Sequence, residues 1–314
     1  MTCTGTRGRG WHNSGIAEDR VQITSARMLV AGAFCAALIL AACSTMHRST
    51  ASVAIRDPQA PRYEVYAVRF AKSPQDRESD YVAGGDSTRP LEGVYMIWAL
   101  RAANGRVALV DAGFYREKFM PRWKPVAFVP PSEALRQIGI EATDVRDIIL
   151  THIHWDHVDG VDLFPRANVW MQRAEFDYYV DSAGGVRHRG ADPDDAASLA
   201  RLKNGGRMTL VDGDGQEILP GIRVYTGGKH TYASQYVAVP TRSGTVVLAS
   251  DNAYVYDNLE RRLPIAQTLD AAANLRAQDR MFTIAAARFL VIPGHDAQVF
   301  VRFPKVARDV VRID

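Results

Sequence analysis

Short apolar or alternating runs, each closed by turn residues, recur along most of this chain and predict strands. Tyr63 to Phe70 alternates and ends in β-branched and aromatic residues. Val94 to Leu100 and Val107 to Val110 flank Ala103-Asn104-Gly105, a hairpin signal. Ile148 to Leu150 reads as a short buried strand. Asn168 to Gln172, Met208 to Val211, Ile222 to Thr226, Tyr236 to Pro240, Thr245 to Ala249 and Phe289 to Ile292 read likewise, and Ser243-Gly244 turns a second hairpin. Helices are predicted over Ser132 to Gly139 behind Pro131, Ala174 to Val180, Asp194 to Lys203 and Leu269 to Ala287. Residues 71–92 are polar and loop-like. Hairpins come first, helices interrupt, then hairpins return. That order predicts an α+β protein with antiparallel sheets, not a strict βαβα alternation. Neither half closes a core by itself, so residues 63–314 are expected to form one domain.

The first 62 residues read differently. Residues 28–42, MLVAGAFCAALILAA, are almost wholly apolar, with Arg27 before them and Cys43 after. A spanning helix needs about 20 apolar residues, so this run suits a secretory signal better. Leu40-Ala41-Ala42-Cys43 resembles the bacterial lipobox, whose cysteine is lipidated and becomes the new N-terminus. A buried helix or a simple membrane anchor is the plainer alternative. The lipobox resemblance implies a signal peptide over residues 1–42, a lipid anchor on Cys43 and export to the periplasmic side of a bacterial membrane. Ser44 favours the outer membrane. Residues 43–62 then form a flexible tether. Glu18 and Asp19 sit in an unusually long segment before Arg27, so translation is compatible with a later start.

Composition adds limits. The 314 residues are 47% apolar and 23% charged, ordinary for a globular protein. The net charge is +3, without a basic stripe or tail, so nucleic acid is not an expected partner. Removing residues 1–42 takes away four Arg and two acids and leaves +1. The cysteines are Cys3, Cys35 and Cys43, so the cleaved chain has no disulfide and no thiolate ligand for a metal.

The chemistry concentrates in THIHWDHVDG, straight after Ile148-Ile149-Leu150. His152 and His154 are two apart, so on an extended segment they point the same way. Asp156 and His157 follow as the chain turns towards a helix. Imidazole and carboxylate are the usual ligands of zinc and similar ions, and four such groups can serve two adjacent metals. The stretch resembles the signature of the metallo-β-lactamase superfamily. That resemblance implies an αββα sandwich with a metal site at one edge between the sheets. It also implies further ligands, each beginning a loop after an apolar strand: His230 in TGGKHTYASQ, Asp251 in VVLASDNAYVY and His295 in VIPGHD. His152, His154 and His230 would hold one divalent ion, zinc by default. Asp156, His157 and His295 would hold a second, with Asp251 bridging. A hydroxide between two cations is a strong nucleophile at neutral pH. Asp156 would steady it and pass a proton to the leaving group. Asp111 in LVDAGF matches a family Asp behind the site, and reads equally as a turn cap.

Within the superfamily, Tyr254 in DNAY resembles the tyrosine of N-acyl homoserine lactonases, which donates a hydrogen bond to the substrate carbonyl; it also reads as a packing aromatic. LFPRANVWMQRAEFDYY and PGHD extend that likeness over most of residues 90–300. The implied reaction is lactone opening by a small-molecule hydrolase, quorum quenching if the substrate is an acyl homoserine lactone. Aryl esters, phosphotriesters and β-lactams are alternatives for the same machinery. A lipid-tethered binding protein with a vestigial site, or a mononuclear iron oxygenase, are readings of another class. Phe114, Phe119, Trp123 and Phe128 line a substrate cleft or fill a core. Two features depart from the lactonase pattern: Asp159 where a small residue is usual, and GGKHTYAS in place of Pro-Gly-His-Thr-Pro-Gly.

Overall fold

The computed structural model describes residues 62–314. The predicted leader, the lipobox cysteine and all of the tether but Arg62 lie outside the described residues. One sheet has eight strands in the order β12-β13-β1-β2-β3-β4-β5-β6. These are β1 (Tyr63–Ser73), β2 (Gly93–Ala102), β3 (Val107–Val110), β4 (Val145–Ile149), β5 (Asn168–Gln172), β6 (Met208–Val211), β12 (Lys305–Ala307) and β13 (Val310–Arg312). The other has five, in the order β11-β10-β9-β8-β7: β7 (Gln216–Leu219), β8 (Ile222–Thr226), β9 (Gln235–Thr241), β10 (Gly244–Ser250) and β11 (Val291–Pro293).

The expectation of antiparallel sheets needs correction. β3, β4, β5 and β6 are mutually parallel, and β11 runs parallel to β10. Parallel neighbours need a crossover, and helical segments supply it. The helices are α1 (Glu78–Tyr81), α2 (Met120–Trp123), α3 (Pro131–Ala134), α4 (Trp155–Val158), α5 (Arg173–Tyr179), α6 (Pro193–Asn204), α7 (Tyr256–Glu260), α8 (Ala271–Ile284) and α9 (Val299–Arg302). Strands β7, β12 and β13 were not legible because they are short and partly polar. The strand expected from Phe289 begins at Val291, because Arg288–Leu290 form a 3₁₀ turn that leaves Phe289 exposed.

Period-two alternation sets the layers. In β2, Val94, Met96, Trp98 and Leu100 face a core shared with the five-stranded sheet, while Tyr95, Ile97 and Ala99 face a second core under the helices. Ala134, Phe176 and Leu199 of α3, α5 and α6 close that second core. Ala277 and Met281 of α8 join the first core beside β10 and β11. The result is a helix–sheet–sheet–helix sandwich. The C-terminal ends of β3, β4, β10 and β11 gather at one edge, where loops from both sheets meet. Open sheets carry their sites outside such strand ends.

Candidate metal centre

Each of the seven residues singled out as ligands begins at a strand end on this edge. His152, His154, Asp156 and His157 follow β4, with Asp156 and His157 in α4. His230 lies between β8 and β9, Asp251 follows β10, and His295 follows β11. The structure brings all seven together. Ligand-type atoms of His152, His154, His230 and Asp251 lie within 4.8 Å of one another, as do those of Asp156, His157 and His295. His152 Nε2 and His154 Nδ1 are 3.1 Å apart, and His230 Nε2 is 2.9 Å from His154 Nδ1. Asp251 joins the groups. Its Oδ2 is 3.2 Å from His230 Nε2, and its Oδ1 is 2.9 Å from His295 Nε2 and 3.2 Å from His157 Nε2.

The outward ring nitrogens fix the inward ones. His230 Nδ1 donates to the Gln267 carbonyl and His295 Nδ1 to the Val94 carbonyl, both at 2.9 Å. His157 Nδ1 donates to Asp111 Oδ2 at 2.8 Å. With protons outward, the inward nitrogens of the neutral rings present their lone pairs to one another. His157 Nε2 is buried without a hydrogen-bond partner. Converging lone pairs beside carboxylates repel unless a cation lies between them, so the donor set fits divalent metal ions.

Asp111 is more than a turn cap. It is fully buried, accepts from the Thr151 N–H at 2.8 Å, and receives the Ser250 hydroxyl at 3.0 Å besides His157. Thr151 also places its hydroxyl 3.0 Å from His152 Nδ1. Asp111, Ser250 and Lys229 all adopt left-handed backbone, with φ of 60°, 47° and 61°. Non-glycine residues held there mark strain that the surroundings must enforce. Two further braces were not legible in the sequence. Glu175 of α5 accepts from the N–H groups of Ile153 and Ala233, tying the β4 loop to the His230 loop. Asn252 accepts from the Gly228 N–H and the Ser234 hydroxyl, tying the His230 loop to Asp251. A Cβ on Gly227 would stand 2.0 Å from Asn252 Oδ1, which explains the glycines of GGKHTYAS.

Electrostatics follow from burial and crowding. Burial pushes His152 well below the ordinary histidine value, and burial with the neighbouring His230 pushes His154 down to about 3. Burial opposes charge on His157, but Asp251, Asp156 and Asp111 outweigh it and raise its pKa well above normal. Asp251 and Asp156 raise His295 against the same burial cost. Burial opposes ionisation of both acids, yet His157 and His295 hold them below the usual carboxylate range.

Above this floor opens a cleft of about 950 Å³. Tyr254 enters it beside His230 and His295, with ring centroids 5.5 and 5.7 Å away. Its hydroxyl is 3.3 Å from His230 Nδ1, and burial lifts its pKa well above normal, so it stays a donor. The aromatic segment divides. Phe114 is fully buried and stacks on Phe128, so both belong with the core. Phe119 and Trp123 line the cleft and sandwich Trp155, at 4.4 and 5.4 Å. Trp155, Tyr81 and Tyr95 are lining residues that the sequence reading missed.

A profile of the Metallo-beta-lactamase superfamily matches residues 92–300, more than half of the chain. The chain belongs to this superfamily. Among relatives, it is 27% identical over 166 residues to an N-acyl homoserine lactonase of a Bacillus species, covering 52% of this chain and 61% of the relative. To the N-acyl homoserine lactonase AttM of Agrobacterium fabrum it is 27% identical over 180 residues, 55% of this chain and 66% of AttM. The chain thus spans roughly two thirds or less of the length of these curated relatives. A solved AiiA variant of B. thuringiensis with N-decanoyl-L-homoserine at its active site matches at TM-score 0.64 and 20% identity, over 79% of this chain and 98% of that one. The dizinc quorum-quenching lactonase AidC matches at TM-score 0.53 and 11% identity, over 71% and 86%. At these identities the structural likeness is one of fold.

Within this superfamily fold, the contacts of Asp159 give it a structural role. This buried carboxylate accepts from the N–H groups of Tyr115 and Arg116 at 2.7 and 2.9 Å and pairs with the Arg116 guanidinium. It therefore pins the start of the segment that carries Phe119 and Trp123. Arg116 also holds Asp195 of α6 at 2.7 Å, and burial plus the neighbouring Asp159 raises the Asp195 pKa to about 9.

Proposed function

We propose that this chain is a two-metal hydrolase that opens the lactone ring of N-acyl homoserine lactones. The observation that carries the reading is Asp251, whose two oxygens face two separate sets of ligand-type atoms. In this reading His152, His154 and His230 would hold one divalent cation, and Asp156, His157 and His295 would hold the other, with Asp251 available to both. Zinc suits an all-imidazole-and-carboxylate set. Bound cations supply Lewis acidity and lower the pKa of water to about 7.

The chain's own groups do the rest. Tyr254 donates its O–H to the lactone carbonyl oxygen, and its raised pKa keeps that proton in place. Asp156 orients the attacking water and carries a proton to the departing ring oxygen as the C–O bond breaks, giving the open hydroxy acid. Phe119, Trp123 and Trp155 receive the acyl chain and exclude water. The relatives named as lactonases support this substrate class. We also propose the lipid anchor at Cys43 and a periplasm-facing location, on the lipobox resemblance.

Proton release on acyl homoserine lactones, with nitrocefin, an aryl ester and paraoxon as comparison substrates, tests the proposal. Lactones should turn over fastest by at least an order of magnitude. A faster aryl ester, phosphotriester or β-lactam would keep the metal centre and overturn the substrate. Tyr254→Phe should keep its metals and lose only a modest part of kcat.

A further inference from the structure

The parallel strands β3 and β4, with β5 beside them, point their C-terminal ends towards the candidate metal centre. Their N-terminal ends open onto a second concavity of about 980 Å³. Arg101, Arg106, Arg146 and Arg166 line it against a single acid, Asp144. Only part of that charge is spent. Arg106 pairs with the buried Asp147 at 2.7 Å. Arg101 donates to the Ile138 carbonyl, with Glu64 no nearer than 3.9 Å. Asp144 accepts from the Glu141 N–H, within its own turn. The side chains of Arg146 and Arg166 are exposed and make no ion pair or hydrogen bond with the described residues. A cluster in which cations outnumber the acids beside them is a local attractor for anions.

A second observation is independent of charge. Tyr63 pairs with Ala102 at the start of the β2–β3 turn. Arg106, after that turn, lines the groove. The described chain therefore begins beside the groove and at the end of the strands away from the metal centre. Residues 44–61 separate the proposed anchor at Cys43 from the first described residue, Arg62.

We propose that the arginine groove seats this domain on a bilayer surface rich in anionic phospholipid headgroups, with the metal cleft facing away from it. Basic side chains near such a surface act together without a lipid-specific pocket, and Arg146 and Arg166, the two without an acid of their own, carry most of the attraction. The five residues of β4 separate the two ends by roughly 17 Å, enough to leave the cleft open to solution. Proximity to the membrane draws on the proposed lipid anchor; the charge of the groove does not.

The described residues 62–314 contain both sheets and both cores, so the test uses the chain from Ile55 onward without acylation. It is floated with vesicles of phosphatidylcholine alone and of phosphatidylcholine and phosphatidylglycerol in equal parts. Binding is expected to the mixed vesicles only, and to weaken with salt. The pair of substitutions Arg146→Glu and Arg166→Glu should weaken it at least about tenfold. Arg276→Glu, on exposed α8, should leave it unchanged. Should the double variant fold poorly, judged by its far-ultraviolet circular dichroism and thermal melting, Arg166→Gln provides a milder loss. Equal binding of wild type and groove variants, equal binding to neutral vesicles, or an equal loss with Arg276→Glu would overturn the proposal. Lactone turnover is read separately, so failure of the groove and failure of the lactonase reading are distinguishable.

Discussion

The floor of the cleft and its walls are built by different rules. On the floor, Asp111 alone engages Thr151, Ser250 and His157, the ligand histidines point lone pairs inward, and glycines let the loops touch. Such a site has one arrangement. The walls are stacked aromatics, and Trp123 is still 39% exposed. Phe119, Trp123 and Trp155 are placed by packing and by the Asp159–Arg116 clamp, which leaves room to adjust. The contrast teaches that the floor fixes which chemistry is available, while the walls select what is delivered to it.

The strongest way to break this contrast is Asp251→Asn. It removes charge shared by both ligand sets, so metal content should fall and activity should drop by more than the roughly 10–100-fold typical of an outer partner. Elemental analysis alongside kinetics checks both. Asp111→Asn comes next. It loosens His157 without touching the substrate, and should cost about 10–100-fold in metal affinity. Acidification acts on the same floor. His157 and His295 hold raised pKa values in the metal-free site, so cations must displace their protons. Affinity should therefore fall as pH falls, by up to about tenfold per unit for each proton displaced. Metal titrations across pH read this directly; a pH-independent affinity would contradict it. The smallest effect belongs to the wall. Trp123→Ala should raise KM for long-chain lactones about tenfold or less, with short chains and kcat little changed. Equal losses across chain lengths would move Trp123 out of the acyl subsite.

Legibility in the sequence divides along the same line. The candidate ligands were readable because each is a His or Asp released by a short apolar strand, and that local pattern survives without knowledge of tertiary contacts. The strands themselves were readable from alternation, as in β2. The parallel pairing of β3 to β6 was not, because neighbour order depends on where the intervening helices carry the chain. Glu175 and Asn252 were missed for a similar reason. Each braces loops far apart in sequence, and nothing local distinguishes a bracing carboxylate or amide from a solvated one. Trp155 sat inside the metal motif itself. Its role became visible only once Phe119 and Trp123 closed over it.

The central claim is that Asp251 joins two metal subsites. Counting metal per chain by elemental analysis, after loading with zinc and removal of the excess, tests it most directly. The account expects two ions per chain for the natural sequence and fewer for Asp251→Asn. One ion per chain in the natural sequence, or two retained with full activity after Asp251→Asn, would contradict it.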